Sequence, residues 1–138
     1  MLRRVAHSGP SMLTSDKITG VQRPSSAAFA VDPDGISVFS TLALEELGVA
    51  PGELLVRPGS LLVSLTVQQV RGVSAQAGLS DEPCDVLGDP WPPDVEDPKA
   101  DRHGAHALID GPQRMAKGPR KHVVTALARL AAFTDHKR

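Results

Sequence analysis

Two histidines and the acids beside them are the residues whose types and spacing could carry chemistry. His103 and His106 stand three positions apart, with Asp101 before them and Asp110 after them. Imidazole and carboxylate groups together are ligands of zinc and non-haem iron, which makes His103 and His106 candidate metal ligands. Residues three apart converge only on a helix, whereas Gly104 and its apolar neighbours favour a loop and a strand. We therefore predict no metal and no other cofactor.

His106 is the better candidate for general acid–base chemistry. It joins a polar loop to an apolar segment, and a histidine can exchange a proton near neutral pH. Asp110 or Asp101 would be its acidic partner. A small transferase or hydrolase using His106 with one of these carboxylates is one interpretation. The other is a histidine that only hydrogen-bonds to backbone or to an Asp.

Other side chains narrow the chemistry further. The acids around Cys84, the only cysteine, disfavour its thiolate, and one cysteine excludes a disulfide within the chain. Ser25 and Ser26 carry hydroxyls that could bind phosphate or ribose, or could only hydrogen-bond locally. No phosphate-binding glycine loop, nucleophile elbow or zinc-protease motif occurs in the sequence. The sequence thus leaves enzyme activity undecided, with the balance against it.

The charge is segregated along the chain although the net charge is only −1. Residues 81–101 hold eight acids, one lysine, five prolines and the only tryptophan, Trp91. An exposed tryptophan between prolines can anchor an interface at low ordering cost. Residues 112–138 hold seven Lys or Arg and one acid, Asp135. The two segments predict two docking elements of opposite charge.

A basic cluster lies before and at the start of the last predicted helix. It consists of Arg114, Lys117, Arg120 and Lys121. Cations at a helix N-terminus oppose the helix dipole, so the cluster indicates an anionic partner or pairing with the acidic segment of the same chain. Together with Trp91, these four residues are the predicted partner-binding residues.

These patterns favour an accessory or regulatory interaction protein that binds a protein partner or a second copy of itself. The hydrolase or transferase is the alternative, and nucleic-acid binding through the basic terminal segments is the third. Nucleic acid is the least expected partner, because aromatic residues make up only 3% of the chain and none is Tyr. No apolar run approaches the ~20 residues of a membrane span, and no secretory signal is recognisable, so we expect a cytoplasmic protein with no membrane partner.

The elements that would position these residues predict a small single-domain α+β fold. We expect about five short strands in a mostly antiparallel sheet, packed by a C-terminal helix and one short helix. Residues 1–23 are predicted to be a basic irregular arm, with the domain spanning 24–138 and containing an acidic proline-rich loop over 80–103. The individual expectations are a hairpin over 27–40, a helix over 42–47, strands at 54–56, 60–67 and 105–109, and a helix from Pro119. For 60–73, a helix reaching Arg71 stays open as the alternative.

Overall fold

An antiparallel six-stranded sheet organises the part of the chain that this computed structural model describes, namely residues 1–6, 13–15, 17–55, 60–76, 83–90 and 104–134. Its strands are β1 (Leu2–Ala6), β4 (Ile36–Phe39), β5 (Ser60–Ser64), β6 (Asp85–Gly88), β7 (His106–Asp110) and β8 (Ala132–Phe133). They lie in the order β6-β7-β4-β1-β5-β8. Two further strands, β2 (Leu13–Ser15) and β3 (Gln22–Pro24), pair with each other.

Three α-helices accompany the sheet within the described residues. They are α1 (Thr41–Leu47), α2 (Val67–Gln76) and α3 (Lys117–Leu130). Short 3-10 turns occur at Ser26–Ala28, Pro51–Leu54 and Pro112–Arg114. The protein is a small single-domain α+β fold, which confirms the predicted class.

The main hydrophobic core lies between one face of the sheet and the helices α2 and α3. Alternate residues of β4, Ile36 and Val38, point into it, and Val123 and Leu127 of α3 meet them with no more than 1% of their surface exposed. This period of two on a strand and three to four on a helix is what places one apolar stripe of each element in the core.

A second, smaller core lies on the opposite face of the sheet. Leu44 of α1, Leu54, Leu62 and Ala105 form it, with Phe39 packed against them. The helix α1 is set there by its caps: the Ser40 hydroxyl accepts from the N–H of Ala43, and Gly48 ends the helix at a left-handed φ of 70°. The predicted helix over 42–47 is confirmed.

The turn before β4 lies within the hairpin predicted over 27–40. Asp32 and Gly35 exchange two backbone hydrogen bonds of 3.0 Å, and Gly35 has a φ of +130° that a side chain would strain. The hairpin predicted over 27–40 is wrong in its first half. The small residues Ser26–Ala28 form a 3-10 turn and do not pair with β4. Ala28 and Phe29 are buried at this turn.

The N-terminal segment differs from the irregular arm predicted for residues 1–23. β1 pairs along its whole length with β5, and β2 and β3 form a separate hairpin. Because β1 contains arginines, its sequence does not show the apolar pattern that predicts a strand. Its conformation comes from backbone pairing with β5, which lies about sixty residues further along the chain.

Residues 60–76 contain both structures between which the sequence leaves a choice. β5 is followed directly by α2, which begins with reciprocal hydrogen bonds: Gln69 N–H donates to the Thr66 hydroxyl, and Thr66 N–H donates to the Gln69 side chain. This capping box is visible in the sequence as Thr66-x-x-Gln69 and marks the helix start. In the strand predicted at 54–56, Leu54 instead ends a 3-10 turn, Pro51–Leu54, since proline suits a first helical position, and Val56 lies outside the described residues.

The proline-rich loop predicted over 80–103 contains a strand near its start, and residues 80–82 and 91–103 lie outside the described part of the chain. Asp85–Gly88 form the edge strand β6, paired with β7 from Asp85↔Asp110 to Gly88↔Ala107. The strand predicted at 105–109 is confirmed as β7, one residue later. The predicted C-terminal helix is confirmed as α3, with Pro119 at its third position.

Candidate functional site

A group of polar side chains lies on the sheet face opposite α2 and α3. In the pairing of β4 with β7, Phe39 stands opposite His106 and Ser37 opposite Leu108. Directly opposed residues of antiparallel strands share a face, and residues two apart on one strand do too. Ser37 and His106 are therefore diagonal neighbours across the two central strands.

His106 is hydrogen-bonded at both ring nitrogens although only 3% of its surface is exposed. Its Nε2 lies 2.6 Å from the Ser37 hydroxyl. Its Nδ1 lies 3.0 Å from the backbone carbonyl oxygen of Asp89 and 3.2 Å from Oδ2 of the same residue. The Phe39 ring meets the imidazole edge-on, at 5.7 Å between centroids and 81° between planes. The imidazole is thus held in one orientation.

The partners of His106 define where its proton sits. Both Asp89 oxygens can only accept hydrogen bonds, so Nδ1–H donates to them. In the neutral imidazole Nε2 is then the acceptor, and the Ser37 hydroxyl donates to it. A serine hydroxyl aimed at the unprotonated nitrogen of a histidine that a carboxylate orients is the arrangement of an activated nucleophile.

The edge strand β6 positions Asp89. Its N–H donates to the His106 carbonyl at 3.0 Å, which continues the β6–β7 pairing one residue beyond Gly88. The backbone thus brings the Asp89 carboxylate to the ring from the neighbouring strand.

Asp110, one of the two predicted acidic partners of His106, is engaged elsewhere. It lies four residues along β7, which at ~3.3 Å per strand residue is about 13 Å away. The guanidinium of Arg114 and then the amide of Gln113 donate to its Oδ1, and these hydrogen bonds lower the pKa of its carboxyl. The acidic partner in the structure is Asp89. Asp101, His103 and Trp91 lie outside the described residues.

The predicted basic cluster divides into two kinds of side chain. Arg120 donates to the backbone carbonyls of Pro112, Gln113 and Met115, and Arg114 pairs with Asp110. These two arginines hold the turn that precedes α3. Lys117 and Lys121 are exposed, and the described residues place no carboxylate within 4.0 Å of either ammonium.

Described residues line two cavities that lie apart from Ser37 and His106. One of about 410 Å³ is mostly apolar and lies beside α1, where Leu44, Val49 and Pro51 line it. The other, of about 210 Å³, lies between the β2–β3 hairpin and α3, and arginine and hydroxyl side chains line it.

The described ranges hold no group of three His, Cys, Asp or Glu side chains able to bind a metal ion. Cys84 is buried, with its Sγ 3.5 Å from the Ser74 hydroxyl. Among the described helices, none has both the length and the apolar character needed to span a bilayer.

The fold and site define a small antiparallel α+β protein with a Ser–His–Asp hydrogen-bonded chain across its central strands. No protein-family model, no curated protein and no solved structure matches the chain.

Sequence reasoning missed Ser37 and Asp89. Both lie far from His106 along the chain, by 69 and 17 residues. The local sequence marks only Ser37, as the one polar residue in the apolar run Ile36-Ser37-Val38-Phe39. It lies on the face that does not join the main core.

Proposed function

We propose that the protein is a small serine-dependent acyl hydrolase or acyltransferase, with Ser37 as nucleophile, His106 as general base and Asp89 as the group that orients it. The observation that carries the proposal is the 2.6 Å hydrogen bond from the Ser37 hydroxyl to Nε2 of a histidine whose Nδ1 faces a carboxylate. This is the pairing by which a neutral hydroxyl becomes nucleophilic near neutral pH.

The proposed step transfers one proton and exchanges one bond. Ser37 Oγ attacks the carbonyl carbon of an ester or related acyl compound while its proton passes to His106 Nε2. The tetrahedral intermediate collapses, the bond to the leaving group breaks, and Nε2–H returns the proton to that group. Water or a second acceptor then releases the acyl group by the reverse proton path. Asp89 stabilises the imidazolium formed in each half-reaction.

The surroundings of Ser37 support an apolar acyl group as substrate. Ser37 is half-buried, so the residue is not closed off by the core. On the same face Leu108 stands directly opposite it, and Leu87 of β6 stands next to Leu108 with 49% of its surface exposed. An acyl chain lying across these two leucines would bury apolar surface beside the nucleophile.

The test uses a fluorophosphonate probe, in which an activated serine forms a P–O bond and displaces fluoride. We expect labelling of Ser37, identified by peptide mass spectrometry, and its loss in Ser37→Ala. His106→Gln should lower the labelling rate by about 100-fold or more, the usual contribution of a general base. Asp89→Asn should lower it too. Asp110→Asn is the matched control, because that carboxylate is on the same face but bound to Arg114.

Stability measurements show how much each variant weakens the fold, and the labelling separates a catalytic role from a structural one. Ser37→Ala leaves Nε2 of a buried ring without its donor, so it should destabilise the fold by about 1–3 kcal/mol in either case. A folded wild-type protein with no label at Ser37, or with labelling unchanged in His106→Gln, would refute the proposal and leave the chain of hydrogen bonds a purely structural device.

Binding of an acidic protein partner is a second candidate, favoured by Lys117 and Lys121. Both ammonium groups lie in the first two turns of α3, where they oppose the helix dipole and no acidic residue in the first turn offsets them. An acidic surface docked against this end of α3 would neutralise them. This proposal keeps the interaction role expected from the sequence and narrows its basic element to two lysines.

A further inference from the structure

The cavity between the β2–β3 hairpin and α3 has the composition of an anion site. Its polar lining consists of two guanidinium groups and four hydroxyls, from Arg23, Arg129, Thr14, Ser25, Ser26 and Thr125. The other described residues of the lining are Pro24 and Ala128, so none of the described lining residues carries a carboxylate. Planar guanidinium forks and hydroxyl donors are the groups that bind phosphate oxygens in proteins.

The two arginines converge on the cavity from separate elements. Arg23 lies on β3, opposite Thr14 of β2, and Arg129 lies in the last turn of α3, one turn after Thr125. Both arginines are exposed, and within the described ranges no Asp or Glu oxygen lies within 4.0 Å of either guanidinium. Two cations around one cavity repel each other, and a bound anion converts that repulsion into two attractive contacts.

The size of the cavity limits the ligand. The cavity has a volume of about 210 Å³. Pockets for drug-sized ligands and cofactors begin at about 300 Å³. The cavity therefore suits a phosphate group with a small organic remainder better than a dinucleotide or another large cofactor.

We infer that this cavity binds the phosphate group of a small phosphate monoester, with Arg23 and Arg129 as its charged ligands and the surrounding hydroxyls as neutral donors. The site is separate from Ser37, because α3 covers the other face of the sheet. The inference that this cavity binds phosphate does not depend on whether Ser37 is a nucleophile.

The test is calorimetric titration of the full chain with inorganic phosphate and, separately, with glycerol phosphate, at constant ionic strength. We expect saturable binding of both, with chloride failing to compete at the same ionic strength. Arg23→Gln and Arg129→Gln should each weaken binding by about ten- to a hundredfold, the effect of losing one charged hydrogen bond. Lys121→Gln is the matched control, since it removes one positive charge from α3 outside the cavity and should leave binding unchanged.

A variant that leaves the net charge unchanged tests whether a loss of binding comes from the site or from misfolding. Thr125→Val keeps the side-chain shape and removes one hydroxyl, and it should weaken phosphate binding severalfold with no loss of helical circular dichroism. The inference is overturned if wild-type protein binds neither probe, or if Lys121→Gln weakens binding as much as the arginine variants do. The latter result would show general charge attraction without a site.

Discussion

At the scale of single residues, the backbone around each carboxylate decides which side chain it binds. Asp110 shares β7 with His106 but pairs with Arg114, four residues later, at the turn before α3. Asp85, opposite Asp110 across the sheet, pairs with Arg71 of α2 at 2.9 Å. The carboxylate that reaches His106 comes from the neighbouring strand. Each of these contacts thus follows the local geometry of its own turn or strand end.

The Asp110–Arg114 pair predicts a pH dependence of stability. The hydrogen bond from Arg114, then that from Gln113, lowers the folded-state pKa of Asp110 below the ordinary 3.8. A lowered carboxyl pKa contributes stability that is fully present above 3.8 and is lost as pH falls through the folded value. Asp110→Asn should therefore lower the free energy of unfolding at neutral pH, and the difference from wild type should shrink below 3.8.

Urea unfolding at a series of pH values measures that difference. Glu46→Gln, which removes an exposed carboxylate from α1, is the control for net charge. A difference between Asp110→Asn and wild type that stays constant down to acid pH would contradict the assignment.

At the scale of elements, the β4–β7 pair carries the candidate catalytic site and depends on the turn that leads into β4. Gly35 is buried at the end of that turn, against the last residues of β7. A Cβ on Gly35 would lie 2.6 Å from the backbone carbonyl oxygen of Ile109. The register that brings Ser37 to His106 thus depends on a position where no side chain fits.

Gly35→Ala should destabilise the fold by about 2 kcal/mol or more, because backbone strain at a φ of +130° adds to the clash with β7. Gly20→Ala is the matched control: its φ is also positive, at +72°, but no atom lies within 4 Å of the added Cβ. We expect its cost to be about 1 kcal/mol, from strain alone. Equal losses in urea unfolding would show that the contact with Ile109 does not matter.

At the scale of the whole molecule, the sheet separates two candidate sites. The Ser37–His106–Asp89 chain lies on the face with the small core, and the arginine-lined cavity lies on the side that α3 covers. The exposed lysines of α3 form a third surface. Because these sites share no residue, variants in one leave the others as internal controls.

The interaction proposal is tested on the intact chain. We expect a partner captured by the wild-type protein to be lost from Lys117→Glu/Lys121→Glu, because charge reversal repels an acidic surface. Trp91→Ala should also lose the partner, with no change in melting temperature, if Trp91 is an exposed anchor. Affinity capture with mass spectrometry and thermal melts gives both readouts. Retention of the partner by both variants would contradict the proposal, and unfolding of Trp91→Ala would place that ring in the core.

Local sequence determined those features whose physics is local. The turn at 32–35, the caps of α1 at Ser40 and Gly48, and the apolar stripe of α3 rest on contacts within a few residues, so the α+β class was predictable. The capping box at Thr66 was equally readable and would have identified α2. The acid–base role considered for His106 also came from the sequence, as a single residue without its partners.

Only the tertiary structure decided what depends on long-range pairing. β1 is a strand because β5 pairs with it, although its own sequence predicts a basic irregular arm. Ser37 and Asp89 join His106 because β4, β6 and β7 are neighbours, at sequence separations over which no spacing rule operates. Arg23 and Arg129 share a cavity for the same reason. Side chains distant in sequence meet only where backbone pairing and core packing bring their elements together, so the composition of both candidate sites is a property of the fold.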